Sequence, residues 1–387
     1  MRSKQDLSIT FIIGQLGLGG SERQLYLLTR ELILRKWRVI VLYLNSDTGD
    51  HWAHPLEQLG ANVFSLSNAK TQMERLAAIT SILIKEKPTI VHAWSFFTNF
   101  YAAVCGFLAQ IPVRLGSERG NYQYSKQRYG AWKYSLNLIG LHALVTNSEV
   151  EAQLLKKKKP VLRVEVLPNG VSIEGLFSRT KARELLKISE DSIVIAGIGS
   201  LTSNKNFEYL IEAVAKISSK YPELKLVLIG DGPENNNLLK QASQLIPFDQ
   251  VVFLGAVPDA YKLLKGIDVL CVPSLSEGMP NVVLEACGAG VPVVANNVGV
   301  ISSLIRDGNN GFLVEVGDES LFISAIERLV CNKGLRDEMG LWGQEIVQNE
   351  YSTQVMAHRF VSIYLELLSA RKRFFMNRRG LPRKKIN

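Results

Sequence analysis

Short apolar runs alternate with amphipathic stretches along almost the whole chain. The run LSITFIIG is followed by GGSERQLYLLTRELILRKW, in which Leu25, Leu28 and Leu32 recur at helix spacing, and then by the apolar run RVIVLYL. This order predicts a strand, a helix and a second strand, which together form a βαβ unit. Because a helical crossover lets consecutive strands run in the same direction, the pattern favours a parallel sheet.

The alternation restarts near residue 190. Further strands are predicted at TIVHAW, PVRLGS, ALVTNS and VEVLPNG, and then at SIVIAGIGSL, LKLVLIGDG, VVFLGAV, VLCVPS, VPVVA and GFLVEV. A chain of 387 residues with 47% apolar residues can bury two cores. We therefore predict an α/β protein with two Rossmann-like domains, residues 1–170 and 171–365, whose mostly parallel sheets face a central cleft. Residues 366–387 form a predicted basic tail.

Cysteine usage and the amino-terminal residues bear on the compartment. Cys105, Cys271, Cys287 and Cys331 lie far apart, each within an apolar stretch, so we expect buried thiols in a reducing compartment. The beginning of the chain favours a first strand over a signal peptide. No window reaches the roughly 18 uninterrupted apolar residues of a membrane-spanning helix. The sequence thus predicts a cytoplasmic protein.

Positive charge is concentrated at the carboxyl terminus. The formal net charge is +9, and residues 371–387 contain eight Lys or Arg residues and no acid, which leaves about +1 for the remainder. A nearly neutral body argues against nucleic acid as a partner, whereas a basic end that also contains Phe374, Phe375 and Met376 indicates an anionic membrane surface. A disordered solubilising tail is the alternative. A second basic cluster, KKKK at 156–159, is compatible with an ordinary helix end.

Two glycine-containing turns mark places where the backbone can approach a ligand. In GQLGLGGSER, which ends the first strand, Gly19 and Gly20 precede a helix whose amides can meet an anion, although such a turn also permits tight packing. In GIGSLTSNKNF, Lys205 lies shortly before a helix that Asn204 or Asn206 could cap. A lysine there suits a phosphate, and a solvated loop lysine is the alternative.

The segment PSLSEGMPNVVLEACGAGVPVVA, residues 273–295, places two carboxylates around a turn and a helix start. Asn281 is predicted to begin the helix, so the preceding turn surrounds a helix amino end, whose partial positive charge suits sugar and phosphate oxygens. Glu277 precedes the turn, and Glu285 lies one turn inside the helix. Both are candidates for ligand contacts, with ordinary helix-end or surface charges as the alternative.

These motifs resemble one known family. In this order, GGSER, LPNGV, GSLTSNKNFEYLIEA, LVLIGDGPE, VVFLGAV, DVLCVPSLSEGMPNVVLEACGAGVPVVA and GFLVEVGD are similar to glycosyltransferase family 4, retaining enzymes of the GT-B fold. The resemblance extends to about residue 365 and is most specific between Glu277 and Glu285. It implies a nucleotide-sugar donor whose diphosphate lies between the two domains and needs no metal. The absence of an obvious Asp-x-Asp metal motif agrees with this.

The resemblance also implies roles for individual residues. Glu285 would hold the ribose hydroxyls, Lys205 would hold the diphosphate, and Glu277 would face the transferred sugar and stabilise its oxocarbenium-like charge. Glu277 and Lys205 are therefore the expected catalytic residues. The implied donor-binding residues are Gly19, Gly20, Ser200, Lys205, Val257, Gly278, Met279, Pro280, Asn281 and Glu285.

The chain departs from the family pattern at two places. Most of the family reads Gly-Arg-Leu where residues 199–201 read Gly-Ser-Leu, so Ser200 replaces an arginine that would clamp the diphosphate. In PVRLGSERGN, Glu118 and Arg119 stand where a histidine often faces the donor sugar, and they resemble bacterial members that extend glycans on lipid diphosphate carriers. We expect them to bind the acceptor, with a structural Arg–Glu pair as the alternative. His92 in VHAW is expected to be a hydrogen-bonded strand-end residue.

The sequence therefore predicts a metal-independent, retaining, hexosyltransferase-type enzyme without a cofactor. Its donor is expected to be a UDP-sugar, and its acceptor a glycan or a lipid-diphosphate-linked glycan in cell-surface polysaccharide synthesis at the inner face of a membrane. A sugar-nucleotide epimerase of the same fold is an alternative, but the five histidines form no clear constellation for proton abstraction. A catalytically inactive scaffold is a third alternative, which the Ser200 replacement alone favours.

Overall fold

The computed structural model describes residues 7–46, 49–120, 130–158 and 162–379. They form two compact units. Unit 1 combines the chain up to Gly170 with the chain from Thr353 onward, and unit 2 comprises Val171–Ser352. Each unit has its own sheet and its own hydrophobic cores.

Unit 1 is built on a seven-stranded sheet whose paired strands all run parallel. The strands are β1 (Ser8–Ile13), β2 (Arg38–Tyr43), β3 (Asn62–Ser65), β4 (Ile90–Ala93), β5 (Val113–Glu118), β6 (Ala143–Thr146) and β7 (Val164–Val166), in the sheet order β3-β2-β1-β4-β5-β6-β7. Phe11 and Ile12 are both fully buried, although neighbouring strand residues point to opposite faces. Burial on both faces requires helices on both sides of the sheet.

Helices of the amino-terminal segment supply this cover. They are α1 (Gly20–Leu34), α2 (Ala53–Gln58), α3 (Gln72–Glu86), α4 (Asn99–Leu108), α5 (Ala131–Leu136) and α6 (Glu149–Lys158). On one face, the predicted leucine stripe of α1, represented by Leu28, joins the core that contains Phe11. On the other face, Leu83 of α3 and Cys105 of α4 join the core that contains Ile12.

Unit 2 is built on a six-stranded parallel sheet. Its strands are β8 (Ile193–Ile198), β9 (Leu224–Ile229), β10 (Val251–Phe253), β11 (Val269–Val272), β12 (Val293–Asn296) and β13 (Gly311–Val314), in the sheet order β10-β9-β8-β11-β12-β13. Its helices are α7 (Arg179–Leu186), α8 (Phe207–Ser218), α9 (Asn235–Leu245), α10 (Asn281–Ala289), α11 (Ile301–Leu304), α12 (Glu319–Cys331) and α13 (Lys333–Ile346). Two apolar cores, one per face, contain Ala196 and Ile195 of β8 respectively.

Both sheets reverse their strand order at one point. In unit 1, β1 lies between β2 and β4, and in unit 2, β8 lies between β9 and β11. At such a switch point the loops that follow the two central strands diverge and leave a crevice at the carboxyl edge of the sheet. The predicted α/β class with two Rossmann-like, parallel sheets is confirmed, and these two edges are where ligand contacts are expected.

The carboxyl-terminal helix, α14 (Thr353–Arg379), belongs to unit 1. The sequence pattern predicts residues 353–365 in the second domain, and this prediction is wrong. Phe360 and Tyr364 are fully buried in the unit 1 core that also contains Phe11. Because α14 buries this apolar face against α1 and β5, the chain returns to the first unit after leaving the second.

The basic tail begins inside this helix. Arg163 donates two 2.8 Å hydrogen bonds to the carboxylate of Glu366, and Arg371 Nε donates to the carbonyl of Pro112 at 3.2 Å. The first part of the tail is therefore helical and attached to unit 1, which opposes the alternative of a wholly disordered tail. The basic residues at 383–385 lie outside the described residues.

The structure tests two further predictions from the sequence, one about the cysteines and one about the lysines near residue 156. Cys105, Cys271 and Cys287 are buried as predicted, but the prediction for Cys331 was wrong: this last residue of α12 is exposed, and its Sγ lies 2.9 Å from the hydroxyl of Tyr221. The lysines at 156–158 form the last turn of α6, and residue 159 lies outside the described residues. Within the described part of the chain, no helix is both long and apolar enough to cross a bilayer.

Candidate active site

The loop after β8 forms one side of the unit 2 switch point. It contains Gly199 and Ser200 and then a single turn of 3-10 helix at Ser203–Lys205. Asn206 precedes α8 with a left-handed backbone (φ 54°) and makes no side-chain capping hydrogen bond. Of the two predicted caps, Asn206 therefore occupies the cap position, and Asn204 is available for another contact.

Two glycines bring the end of β9 against this loop. A side chain on Gly230 would overlap the carbonyl of Gly199, and a side chain on Gly232 would overlap the carbonyl of Leu201. The Leu201 N–H also donates to the carbonyl of Asp231 at 2.9 Å. The GDG sequence after β9 therefore fixes the path of the loop that contains Ser200.

The loop after β11 forms the other side and leads into α10. Pro280 is the residue before the helix and Asn281 is its first residue, which confirms the predicted helix start. The amino end of a helix carries a partial positive charge, which favours an anion at this carboxyl edge of the sheet. Proline has no N–H itself and fixes the approach of the chain.

Lys205 and Glu277 form an ion pair between these two loops. The Lys205 Nζ lies 2.5 Å from Oε1 of Glu277, and the Ser274 Oγ donates to the same oxygen at 2.7 Å. The side chains of Lys205 and Glu277 are 22% and 9% exposed, so water screens this pair less than a surface pair. A cation and an anion thus lie side by side near the amino end of α10, where a ligand with both phosphate and hydroxyl groups can bind.

Further contacts fix the loop that carries Glu277. Asn204 and Asn296 donate from their side-chain amides to backbone carbonyls of this loop at 2.9 Å and 2.8 Å. Gly299 (φ +58°) packs against it so closely that a side chain would overlap the Glu277 carbonyl. The contacts of Asn204 and Asn296 join distant segments, which leave no local pattern in the sequence. Ser274 stands inside the segment PSLSEG, three residues before Glu277, and that spacing alone does not show its hydrogen bond.

The remaining predicted donor-binding residues of unit 2 lie on these loops or near them. Ser200 is exposed, and Gly278 and Met279 are half-buried before α10. Glu285 is half-buried in α10, one turn after the helix start. Val257 lies in the loop after β10, two strands away from β8, and packs against the core of unit 2. The structure thus brings together the residues of the β8 and β11 loops, whereas Val257 belongs to a third loop.

The glycine-rich turn of unit 1 carries a carboxylate of its own. Gly19 precedes α1 and Gly20 is its first residue. Glu22, in the first turn, is only 7% exposed, and its carboxylate lies so close to Gly19 that a side chain there would overlap it. Burial raises the pKa of Glu22. The motif GGSER alone did not reveal that this carboxylate lies beside the turn.

Glu118 and Arg119, at the end of β5, have different partners. Glu118 is buried and accepts a hydrogen bond from the Tyr134 hydroxyl at 3.2 Å. The guanidinium carbon of Arg119 lies 4.0 Å from the ring centroid of Trp94, and Nη2 donates to Asn169 Oδ1 at 2.7 Å. The contacts of the described residues therefore do not include the Arg–Glu pair that was the structural alternative.

His92 is a buried, hydrogen-bonded residue of β4, as predicted. Its Nδ1 lies 2.7 Å from the Tyr364 hydroxyl and its Nε2 lies 2.9 Å from Ser117 Oγ. Burial, together with the nearby charge of Arg119, lowers the pKa of His92 to about 3. The ring is therefore neutral at pH 7 and ties α14 to the sheet.

Two family models together match most of the chain. The model described as Glycosyltransferase Family 4 matches residues 18–174, and the model described as Glycosyl transferases group 1 matches residues 178–345. The boundary between the two units, at Gly170 and Val171, lies close to the end of the first match. Both halves of the architecture thus have a counterpart in this family.

Individual relatives agree with the family models. The lipopolysaccharide core biosynthesis glycosyltransferase LpsE of Rhizobium meliloti is 34% identical over 288 residues, which span 74% of this chain and 77% of the relative. The UDP-Gal:alpha-D-GlcNAc-diphosphoundecaprenol alpha-1,3-galactosyltransferase of Escherichia coli is 29% identical over 281 residues, which span 68% of this chain and 72% of that enzyme.

Solved structures show the same fold. Anabaena Alr3699/HepE, solved in complex with UDP-glucose, has a TM-score of 0.77 and 20% identity, with 94% of this chain and all of that chain covered. The apo form of the lipopolysaccharide outer core galactosyltransferase WaaB has a TM-score of 0.69 and 17% identity, with 93% and 99% covered. At these identities the likeness shows the fold, and the family follows from the sequence relatives. The chain is a member of glycosyltransferase family 4 and has the GT-B fold.

Proposed function

We propose that this protein is a retaining glycosyltransferase that transfers a hexosyl group from a UDP-sugar to a glycan or lipid-diphosphate-linked glycan during cell-surface polysaccharide synthesis. The observation that carries the proposal is the Lys205–Glu277 ion pair at the switch point of unit 2, 2.5 Å across and next to the amino end of α10. The cation of such a pair can stabilise a phosphate leaving group, and the anion can stabilise a positively charged sugar.

The residues of this site divide the work of transfer. Lys205 and the first N–H groups of α10 stabilise the negative charge that develops on the leaving diphosphate. Glu277 stabilises the oxocarbenium-like charge on the transferred sugar, and Ser274 holds its carboxylate in place. Glu285 accepts hydrogen bonds from the ribose hydroxyls. Gly19, Gly20, Ser200, Val257 and the turn at 278–281 complete the donor contacts in this proposal.

Relatives support the choice of a UDP-sugar. The Escherichia coli relative is named as a UDP-Gal-dependent galactosyltransferase, and HepE was solved with UDP-glucose. The names of LpsE and of CapM, a Staphylococcus aureus capsular polysaccharide glycosyltransferase 26% identical over 311 residues, place those relatives in cell-surface polysaccharide synthesis. We extend both features to this chain.

On the acceptor side, Arg119 and the neighbouring Glu118 are the proposed binding residues. The Escherichia coli relative is named for an acceptor in which a sugar is joined to diphosphoundecaprenol. An acceptor of that kind lies in a membrane, which agrees with the basic end of this chain as an attachment to an anionic surface. We therefore propose a cytoplasmic enzyme bound peripherally to the inner face of a membrane.

We propose that positive charge for the leaving group comes from the protein and not from a metal. Within the described residues, no group of three or more His, Cys, Asp or Glu side chains is arranged as a metal site. Lys205 and the start of α10 provide the positive charge. Turnover that is unchanged by EDTA is the expected result, and turnover that EDTA abolishes and magnesium restores would contradict this part of the proposal.

Incubation with UDP-glucose, UDP-galactose and UDP-N-acetylglucosamine, with membrane extract as acceptor, tests the proposed function. We expect release of UDP from at least one of them and transfer of its sugar to the lipid fraction. Interconversion of the UDP-sugars without UDP release would show the epimerase alternative, and neither reaction would show the inactive scaffold.

A further inference from the structure

Arg119 carries a buried donor without a partner. Its guanidinium lies over the Trp94 ring at 4.0 Å, and its Nη2 donates to Asn169 Oδ1. Nη1 is buried and has no hydrogen-bond partner within the part of the chain that the structure describes. A buried donor without a partner is unfavourable by an amount comparable to a lost hydrogen bond, and a charged one by more. One N–H group of this guanidinium is therefore available for a further hydrogen bond.

Among the residues that the structure describes, the charge of Arg119 also has no counterion. The neighbouring carboxylate of Glu118 accepts a hydrogen bond from the hydroxyl of Tyr134, and the phenol of Tyr364 favours the charged form of Arg119. Desolvation accordingly lowers the pKa of Arg119 to about 10, which still leaves it cationic at pH 7. Because buried charges in proteins are ordinarily paired, an anionic ligand is the missing partner.

Asn147 presents a complementary open group in the same cluster. Asn169 Oδ1 accepts from Arg119, so it must be an oxygen, and Asn147 therefore turns its Nδ2 toward it, at 3.5 Å. This orientation leaves Asn147 Oδ1, which is buried and has no partner among the described residues, as an acceptor. A hydroxyl of a ligand can donate to it. The cluster thus offers a cationic donor and a neutral acceptor, joined through one shared asparagine.

The position of the cluster in the sheet suits a ligand. Trp94, Arg119, Asn147 and Asn169 follow β4, β5, β6 and β7, four neighbouring strands, at the carboxyl edge. The Trp94 indole N–H donates to the carbonyl of Ser21 at 2.8 Å, which joins the cluster to the first turn of α1 and hence to the switch point of unit 1. This is the edge at which open α/β sheets bind ligands.

We propose that Arg119 and Asn147, which Asn169 joins, bind a glycosyl phosphate, with the phosphate on Arg119 Nη1 and a sugar hydroxyl on Asn147 Oδ1. The inference rests on the proposed function and specifies its acceptor as a sugar that carries a phosphate or diphosphate at its anomeric carbon. Phosphate oxygens match a guanidinium with an open N–H, and hydroxyls match an amide oxygen. The diphosphate of the UDP-sugar donor has the same phosphate chemistry, and the experiment distinguishes a phosphate of the acceptor from one of the donor.

The experiment is a calorimetric titration of the full chain with N-acetylglucosamine 1-phosphate, in the absence and in the presence of saturating UDP. N-Acetylglucosamine and inorganic phosphate are the matched probes, each lacking one half of the ligand. The variants are Arg119→Gln, Asn147→Ala and, as a control, Arg38→Gln, whose guanidinium is 41% exposed and already paired with Glu86. UDP binding in each variant reports that unit 2 is intact.

We expect the glycosyl phosphate to bind equally well with and without UDP, and more tightly than either probe. Arg119→Gln should weaken it by about tenfold or more, as expected for a charged hydrogen bond. Asn147→Ala should weaken the glycosyl phosphate but not inorganic phosphate, and Arg38→Gln should change neither. Binding that UDP displaces would assign the phosphate to the donor site, and unchanged binding by Arg119→Gln, or no binding by the unsubstituted chain, would overturn the proposal.

This outcome is separable from the proposed function. If UDP-sugars are not turned over while the glycosyl phosphate still binds through Arg119, the proposed function fails and the binding site stands. If UDP-sugars are turned over while Arg119→Gln binds the glycosyl phosphate normally, the enzyme assignment stands and the binding site fails.

Discussion

Lys205 Nζ and Glu277 Oε1 lie 2.5 Å apart, although 72 residues separate them in sequence. The two residues come from loops that follow β8 and β11, and these strands are neighbours only because the sheet reverses its order there. Lys205 therefore presents its own charge to the site and also holds the carboxylate of Glu277. Removal of the lysine side chain is expected to remove this charge and to free the Glu277 carboxylate.

Lys205→Ala should remove most donor affinity or turnover. A charged hydrogen bond to phosphate contributes about 1.5 to 3 kcal/mol, and the loss also leaves the nearly buried Glu277 carboxylate without its cation. Fluorescence titration with UDP and steady-state kinetics measure the two effects. The matched control is Lys216→Ala, which removes an exposed lysine of α8 that pairs with Glu319. An unaffected Lys205→Ala enzyme would show that the diphosphate binds elsewhere.

Ser200→Arg tests the departure from the family pattern in the same loop. Ser200 is exposed at the end of β8, so an arginine fits there without entering the core. We expect tighter binding of UDP, because a second cation would then face the diphosphate. Unchanged or weaker affinity would mean that this position does not face the donor phosphates.

Ser274→Ala should reduce turnover more than donor affinity. The Ser274 hydroxyl is buried and donates a hydrogen bond to the Glu277 carboxylate at 2.7 Å. Removal of this hydroxyl frees the carboxylate but removes none of the proposed contacts to the nucleotide sugar. A hydrogen bond to a charged group predicts a decrease in kcat of about 10- to 100-fold. Comparison of kcat with the dissociation constant for UDP separates the two effects. A loss confined to donor affinity would remove Ser274 as a positioning residue.

His92 should make unit 1 sensitive to acid. An unfolded histidine binds a proton below its usual pKa of about 6.5, whereas buried His92 stays neutral down to about pH 3. Its contribution to the free energy of unfolding is therefore complete above pH 6.5 and decreases by about 1.4 kcal/mol per pH unit as the pH falls toward 3. Urea unfolding of the unsubstituted protein and of His92→Gln at several pH values measures this slope. Equal slopes for the two proteins would contradict the prediction.

The carboxyl-terminal tail should hold the enzyme at an anionic membrane. Each Lys or Arg near such a surface contributes roughly 1 kcal/mol, and Phe374, Phe375 and Met376, whose side chains lie outside the described set, could add apolar burial. Because Arg371 is hydrogen-bonded to unit 1, the truncated protein should keep residues 1–373. We expect only the full chain to sediment strongly with anionic vesicles and to dissociate as salt rises. Equal sedimentation of the truncated protein would place attachment elsewhere, for example at the lysines 156–158.

Periodicity and apolar runs were sufficient to predict the fold class and nearly all strands. The strand they missed, β3 at Asn62–Ser65, is an edge strand with partly exposed residues, so it lacks the apolar run that marks its neighbours. Residues 353–365 were placed in the wrong unit because a helical pattern reports an apolar face but not the core that buries it. That choice depends on contacts with α1 and β5, more than 230 residues away in sequence.

The candidate site was only partly predictable from the sequence. Individual residues such as Glu277 and Asn281 were identifiable, since a helix start has a local pattern. The direct pairing of Lys205 with Glu277, and the support from Ser274 and Asn296, depend on which loops the sheet order brings together. Once the order β9-β8-β11 is known, the switch-point rule indicates the same two loops.

Glu277→Gln and Glu285→Gln, compared in one set of titrations and kinetic assays with the UDP-sugar that the protein turns over, test the central claim most directly. If Glu277 stabilises the charge that develops on the sugar, Glu277→Gln should bind UDP normally and lose turnover by about a hundredfold or more. If Glu285 holds the ribose, Glu285→Gln should bind UDP more weakly, with a smaller effect on kcat at saturating donor. Equal effects in both variants, confined to the Michaelis constant, would contradict the account.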